Sequence, residues 1–458
     1  MPFAALDSAL TGPLFATTEM HAVFSDRARL AAFIEAEAAL AEAEARHGLV
    51  PSALAATIRK LNVDDFDIAA IGARTADAGV PTIPFVKAAE AMLPEKLRGS
   101  FHKGATSQDI VDTALALQMA AAFELIAADL AAIIGGLAAL AKKHRRTPQV
   151  GRTLGQHASP ITFGFTAAVW LAGIAESAAE LPALRQRALV ASLGGPVGTL
   201  AGLGDAAPDV VRDFAAILDL GETPITWHTA RGRIVAVAAW LTTLIGALAK
   251  IATDVVFLSA TEVGEVNEAA AAGRGGSSAM PHKQNPVSAT VILAAHTAAV
   301  GHLSALTAAM AAAGQRPAGA WQSEWLSLPP LFGLVSGALR EARRLATTLV
   351  VHPERMQANL ALTRGLLFAD AVASRLAARL GREAAHEIVE AAATVVRDSG
   401  ETLAAVLAAN AAIPAALRTE IAGAFDLKPA VDAAARQTDR ALAAARAARR
   451  ALTTGRKK

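Results

Sequence analysis

Apolar residues along this chain recur with the 3.6-residue period of a helix, and no stretch sustains the two-residue alternation of a strand. Residues 25–47 show the pattern clearly: Leu30, Phe33, Ile34 and Leu40 recur at helical spacing, with Glu and Arg between them. Ser25 or Asp26 can cap the start, and Gly48 with Pro51 ends the run. Shorter helices follow to about residue 100, broken by Gly79, Pro81, Pro84 and Pro94. From Asp109 the pattern lengthens and predicts helices over 109–144, 160–190, 229–268, 287–314 and 328–350. Between them lie polar loops over 102–108, 147–159, 192–200, 221–228, 273–286 and 315–327. Pro353 marks another break, and residues 354–458 form a third helical region whose basic end, 446–458, reads as a solvated helix end. The expected organisation is an all-α chain in three domains: helical 1–108, a long-helix bundle over 109–352, and helical 353–458.

Composition sharpens this picture. Hydrophobic residues make up 53% and aromatics only 4%, so alanine, the best helix former, carries much of the apolar content. Close-packed helices with small side chains at their contacts are therefore expected. A net charge of +2 makes no case for nucleic acid or a membrane surface. With no cysteine there is no disulfide, thiolate metal site or thiol nucleophile. The opening MPFAALDSAL lacks a basic segment followed by an apolar run, so no secretory signal is read and a cytoplasmic protein is expected. Residues 234–249 and 284–315 carry no charge. The first is shorter than a typical membrane span, and the second is interrupted by His296, His302 and several Ser and Thr. Both are read as helices buried on all sides of a bundle. A helix with no polar face needs many neighbours, which points to an oligomeric core.

The chemistry is concentrated in the loops. Residues 276–286 read GSSAMPHKQNP: glycine and proline exclude a helix, while Ser277, Ser278, Lys283 and Asn285 supply two hydroxyls, a cation and an amide. Such a set suits gripping a carboxylate and moving one proton. Residues 102–113 read HKGATSQDIVDT, where Thr106 or Ser107 caps the next helix. Because a helix N-terminus favours anions, this element is either a plain cap or half of a carboxylate pocket. Residues 151–160 read GRTLGQHASP, with Thr153, Gln156 and His157 as polar groups; His157 is either a ligand contact or a structural histidine. WHTARGR at 227–233 places His228, Thr229 and Arg231 before an apolar helix, and Arg316 opens a loop reading RPAGAWQSEW. Arginine offers a rigid bidentate fork for carboxylate; either arginine can instead be a surface residue, but Arg316, at a break between apolar helices, is read as functional.

The 276–286 string resembles the GSSxMPxKxNP loop of the fumarase/aspartase superfamily, and the 102–113 and 151–160 segments resemble its two other signature loops. The resemblance implies a helical fold in three domains, assembled as a homotetramer around a central bundle, with each active site drawing loops from three subunits. It implies a small carboxylate substrate and neither metal nor cofactor. Thr106, Ser107 and Gln108 are implied to contact substrate carboxylates, and Asp109 and Asp112 to be structural helix-start residues. Ser277 resembles the residue that handles the carbon-bound proton, while Lys283 and Asn285 suit the adjacent carboxylate.

One departure narrows the reaction. The third loop commonly reads G-x-T-H, and Leu154 stands at the histidine position. In lyases of this group that histidine helps to protonate the leaving group, a service typically worth roughly 10²–10⁴-fold. A carboxylate leaving group, with a pKa of about 4, needs no proton at neutral pH. Formation or opening of a lactone has this property, and proximity replaces an external nucleophile. VFSDRARL at 23, GATSQDIVDTAL at 104, WHTARGR at 227, LVSGALREA at 334 and LTRGLLFADAV at 362 extend a resemblance to the bacterial 3-carboxy-cis,cis-muconate cycloisomerase family over nearly the whole chain. That family closes a tricarboxylate diene to 4-carboxymuconolactone in protocatechuate breakdown. Gly232 and Gln315 replace residues often acidic in it, which bears on substrate preference. The rivals are a sulfomuconate cycloisomerase, an adenylosuccinate lyase-like C–N lyase, which Leu154 disfavours, and a non-enzymatic structural relative.

Overall fold

The computed structural model describes residues 3–271, 273–276, 279–280 and 282–454. Ser25 Oγ accepts from the Ala28 N–H at 3.1 Å, so Ser25 caps the Asp26–Arg46 helix, whose left-handed Gly48 follows at φ 70°. With the short helices that follow, it encloses an apolar core of Phe33, Leu54, Ile58 and Phe85, which Trp321 joins from Ala320–Trp325, a short helix inside the stretch expected to be a loop over 315–327.

The long helices Ser107–Lys143, Phe163–Ala188, Gly232–Leu258, Val287–Ala309 and Leu328–Thr348 pack around one large core. Small residues set their spacing: a Cβ on Gly136 would lie 2.8 Å from the Ala346 carbonyl oxygen. A separate apolar cluster of Val372, Leu376, Ala392, Leu403 and Ile421 organises part of the C-terminal region. The last helix, Lys428–Thr454, leaves that cluster and runs along Phe163–Ala188 and Ser107–Lys143. It buries Ala445, Ala448 and Leu452, spaced three and four apart, and turns Arg446, Arg449 and Arg450 outward. The basic end is thus not simply solvated; as far as Leu452 one of its faces belongs to the central core.

The structure corrects three further expectations. Residues 147–159 do not form an irregular loop: Pro148–Thr153 and Gln156–Thr162 make an antiparallel hairpin. Its tip is the two-residue pair Leu154 (φ 52°) and Gly155 (φ 78°), the left-handed pair of a type I′ turn. Gly151 is required, because a Cβ there would lie 2.6 Å from the Ser159 carbonyl oxygen. The helix expected over 229–268 stops at Leu258, and Val266–Asn267 pairs instead with Val350–Val351 in a two-residue ribbon. The uncharged helices are also not buried on all sides. The most apolar windows of Gly232–Leu258 and Val287–Ala309 are only 56% and 33% buried within the chain. Among the described residues, four helices are long and apolar enough to cross a membrane by length and composition. Val256, Phe257 and Val300 are among the large apolar side chains left exposed.

Candidate active site

The N-terminus of the Ser107–Lys143 helix gathers six of the site residues named from sequence: Thr106, Ser107, Gln108, His228, Thr229 and Arg316. Thr106 is the N-cap. The buried Asp109 carboxylate accepts from the backbone N–H of Thr106 (2.9 Å), Gly194 (2.8 Å) and Gly195 (2.9 Å), and His228 Nε2 lies 2.6 Å from its Oδ1. Asp109 is therefore structural, as expected, but it also ties three separate loops to one helix end. His228 is buried, and its Nδ1 has no partner among the described residues.

Arg316 reaches this cluster from its own loop. Its Nη2 donates to Thr106 Oγ1 at 2.8 Å, and its Nε donates to Gln108 Oε1 at 3.2 Å. Gln108 is buried and donates through Nε2 to the His228 carbonyl at 2.8 Å. An exposed guanidinium beside a helix N-terminus makes this corner a place for an anion. Ser107 and Thr229 are half-buried at its edge. Arg231 is not a surface residue: it is buried, donating from Nη1 to Asp112 at 2.7 Å and from Nε to Glu324 at 2.9 Å, with its Cζ 4.7 Å from the Trp227 ring centroid. It braces the corner from behind.

The remaining residues lie elsewhere. The hairpin carrying Thr153, Gln156 and His157 begins just beyond the other end of the Ser107–Lys143 helix. That helix has 37 residues, hence a length of about 55 Å at 1.5 Å per residue. A strand of six or seven residues spans about 20 Å. Within one chain, therefore, the hairpin tip stays roughly 30 Å or more from Thr106. Thr153 and Gln156 are exposed, and His157 is half-buried with its pKa lowered by burial and by neighbouring Arg152. Leu154, at the apex, is 102% exposed.

Lys283 and Asn285 sit in the 273–286 loop, at the start of the Val287–Ala309 helix, whose other end leads to Arg316. Asn285 N donates to the Gly275 carbonyl at 2.8 Å, and Gly276 bridges Gln284, so the stem of the loop is closed. Lys283 is exposed. Ser277 and Ser278 lie outside the described residues.

A family model described as lyase matches residues 15–301, and the adenylosuccinate lyase C-terminus model matches residues 365–441. The 3-carboxy-cis,cis-muconate cycloisomerase of Pseudomonas aeruginosa is 44% identical over 88% of this chain and 89% of its own. This chain belongs to the lyase family of the fumarase/aspartase superfamily. The nitrosuccinate lyase of Streptomyces davaonensis is 42% identical to this lyase over 89% of the chain and 88% of its own. The crystal structure of the 3-carboxy-cis,cis-muconate lactonizing enzyme from Pseudomonas putida superposes with a TM-score of 0.91 at 40% identity, covering 96% of this chain and all of that one. The helical fold described above is thus the fold of that superfamily.

Sequence reasoning passed over two groups that hold the lyase's loops in place. Glu265, fully buried, accepts from Gln149 Nε2 and Asn359 Nδ2, each at 2.7 Å, and from Arg152 Nη2 at 2.5 Å, fastening the hairpin to the bundle. Behind the 102–108 loop, His102 Nδ1 lies 2.6 Å from Glu37 Oε1, and the buried Glu44 Oε1 has no partner among the described residues. Both glutamates sit on the buried face of the Asp26–Arg46 helix, and charge on that face was the available signal.

Burial raises the Glu44 pKa to about 8, opposed by the charge on Lys103 and reinforced by Glu37. The ordinary value is 4.5, so between these two limits the folded chain keeps a proton that the unfolded chain releases. Stability from this group is therefore lost as pH rises from about 4.5 to 8. Glu44→Gln should remove that slope. Its melting temperature should rise relative to the parent protein as pH increases from 5 to 8; parallel curves would refute the assignment.

Proposed function

We propose that this chain is a cofactor-independent cycloisomerase closing 3-carboxy-cis,cis-muconate to 4-carboxymuconolactone. The observation that carries the reading is Leu154 at the hairpin apex, in a chain 44% identical to such a cycloisomerase along most of its length. A substrate carboxylate adds to the ring-forming carbon while a proton joins the carbon next to another carboxylate. The attacking carboxylate is already ionised, so an apolar leucine on that side costs nothing. Ser277 handles the carbon-bound proton. Lys283 and Asn285 hold the carboxylate whose charge builds up, and the Thr106–Ser107–Gln108 corner with Arg316 and Thr229 holds another. His228 orders that corner from below, while Thr153, Gln156 and His157 line the side on which the lactone oxygen attacks.

The 42% identity to a nitrosuccinate lyase supports a second reading, β-elimination of nitrite. Nitrite is the anion of an acid stronger than a carboxylic acid and also leaves without a proton, so Leu154 fits it equally. The test is a comparison of kcat/KM on 3-carboxy-cis,cis-muconate, its 3-sulfo analogue, nitrosuccinate and adenylosuccinate. The first reading expects the carboxymuconate to lead by at least about 100-fold; a lead by nitrosuccinate would replace it with the second.

The working unit in this proposal is a soluble homotetramer. Three features support it: the separation of the site residues along a helix of about 55 Å, the apolar helix faces one chain leaves open, and the exposed Leu154. Leucine with φ near +50° is strained as well as solvent-facing, which suits a tip seated on another subunit. Light scattering at assay concentration should give four times the chain mass; an active monomer would rule the assembly out.

A further inference from the structure

We infer that Arg274 is a positioning residue that fixes the two ends of the 275–286 loop to one buried carboxylate, Glu341. The inference rests on the functional reading above, in which that loop carries Ser277 and Lys283.

Arg274 is the last residue with a side chain before Gly275 and Gly276, and Ser288 lies just beyond Pro286, in the first turn of the following helix. These two side chains meet. Arg274 Nη2 donates to Ser288 Oγ at 2.7 Å and forms an ion pair with Glu341, while Ser288 Oγ donates to Glu341 Oε2 at 2.9 Å. The three groups close a triangle across the mouth of the loop. Beneath it, the Asn285 N–H to Gly275 carbonyl bond and the Gly276–Gln284 bridge close the same stem through the backbone. The first turn of the following helix is fixed again by Glu268, whose carboxylate accepts from the N–H groups of Ser288 and Ala289 at 3.0 Å each.

The anchor itself is rigid. Glu341 is 5% exposed and sits within the Leu328–Thr348 bundle helix. Its other oxygen accepts from Arg340 Nε at 3.0 Å, and Arg340 is pinned in turn by the carbonyls of Pro13 and Leu14, at 2.8 Å each. Ser288 and the two arginines hold the Glu341 pKa below its ordinary value against the effect of burial, so the carboxylate is charged at neutral pH. A charge-assisted triangle on a fixed carboxylate dictates the separation of Gly275 and Asn285. It therefore sets where Lys283 and Asn285 stand, without Arg274 touching substrate. Such preorganisation matters because displacing a reacting group by about 1 Å can cost roughly 10²-fold in rate.

The test uses full-length Arg274→Gln, Ser288→Ala and Arg274→Lys proteins, with three readouts. Arg274→Gln should lower kcat on the muconate at least about tenfold and leave the melting temperature within a few degrees of the parent. Trypsin should cut after Lys283 several-fold faster than in the parent, because the loop mouth is no longer held. Ser288→Ala should shift kcat and cleavage in the same direction, and Arg274→Lys, which keeps the ion pair, should recover part of both. Unchanged cleavage after Lys283 in Arg274→Gln would overturn the inference, as would a kcat loss accompanied by general thermal collapse. Cleavage needs no substrate, so it decides this point even where the parent protein fails to turn over the muconate and the functional reading falls.

Discussion

Arg231→Met should destabilise the folded chain by about 3–5 kcal/mol, the range for removing one partner of a buried charge network. Arg231 is 2% exposed and lies between Asp112, which is 1% exposed, and Glu324, which is 2% exposed. It donates to both carboxylates, while Trp321 Nε1 and Gln108 Nε2 give Asp112 its remaining partners. Methionine fills the space but leaves the two buried carboxylates without their shared cation. Burial already raises the Glu324 pKa, and Arg231 opposes that rise. Without Arg231, Glu324 should take up a proton at higher pH than in the parent, so the loss should shrink as pH falls. Urea unfolding at pH 7 and pH 5 measures both effects. A loss under about 1 kcal/mol, the scale of an exposed pair, would mean that the network is not a brace. Arg231→Lys should also be costly, since one ammonium cannot replace a fork reaching two carboxylates.

Ser277→Ala should lower turnover by more than about 10²-fold, because it removes the proposed proton carrier. Substrate should still bind through Lys283, Asn285 and the 106–108 corner, so KM should move far less than kcat. Leu154→His should not raise the lactonisation rate, since the attacking carboxylate has no proton to lose. Stopped-flow loss of the diene absorbance reads both variants. Near-normal turnover by Ser277→Ala, or a several-fold faster Leu154→His enzyme, would shift the demanding step from carbon protonation to the leaving-group side.

The parts of this site that could be read from the chain are those written in consecutive residues. GSSAMPHKQNP and HKGATSQDIVDT carry their chemistry at fixed short spacing, and the Ser25 cap and the long helices follow from local rules. Partnerships made at long range could not be read. Asp109 was recognisable as a helix-start residue, yet its partners Gly194, Gly195 and His228 lie 85, 86 and 119 residues away. The hairpin was hidden for the same reason. Its strands lack a clean alternation of burial, and its first strand is tied to the bundle by Glu265, over a hundred residues on. The apolar helices misled in the opposite direction. A face without charge was read as buried, but one chain covers only part of it; in the proposed tetramer the rest would be an interface, which has the composition of a core.

The most direct measurement of the central claim is the mass of the product formed from 3-carboxy-cis,cis-muconate in H₂O and in D₂O. Intramolecular closure predicts one product of the same mass as the substrate in H₂O and one mass unit heavier in D₂O. The added deuteron should sit on the carbon beside the carboxylate, and no second fragment should be released. Unconsumed muconate, or a product split into two pieces, would contradict the account.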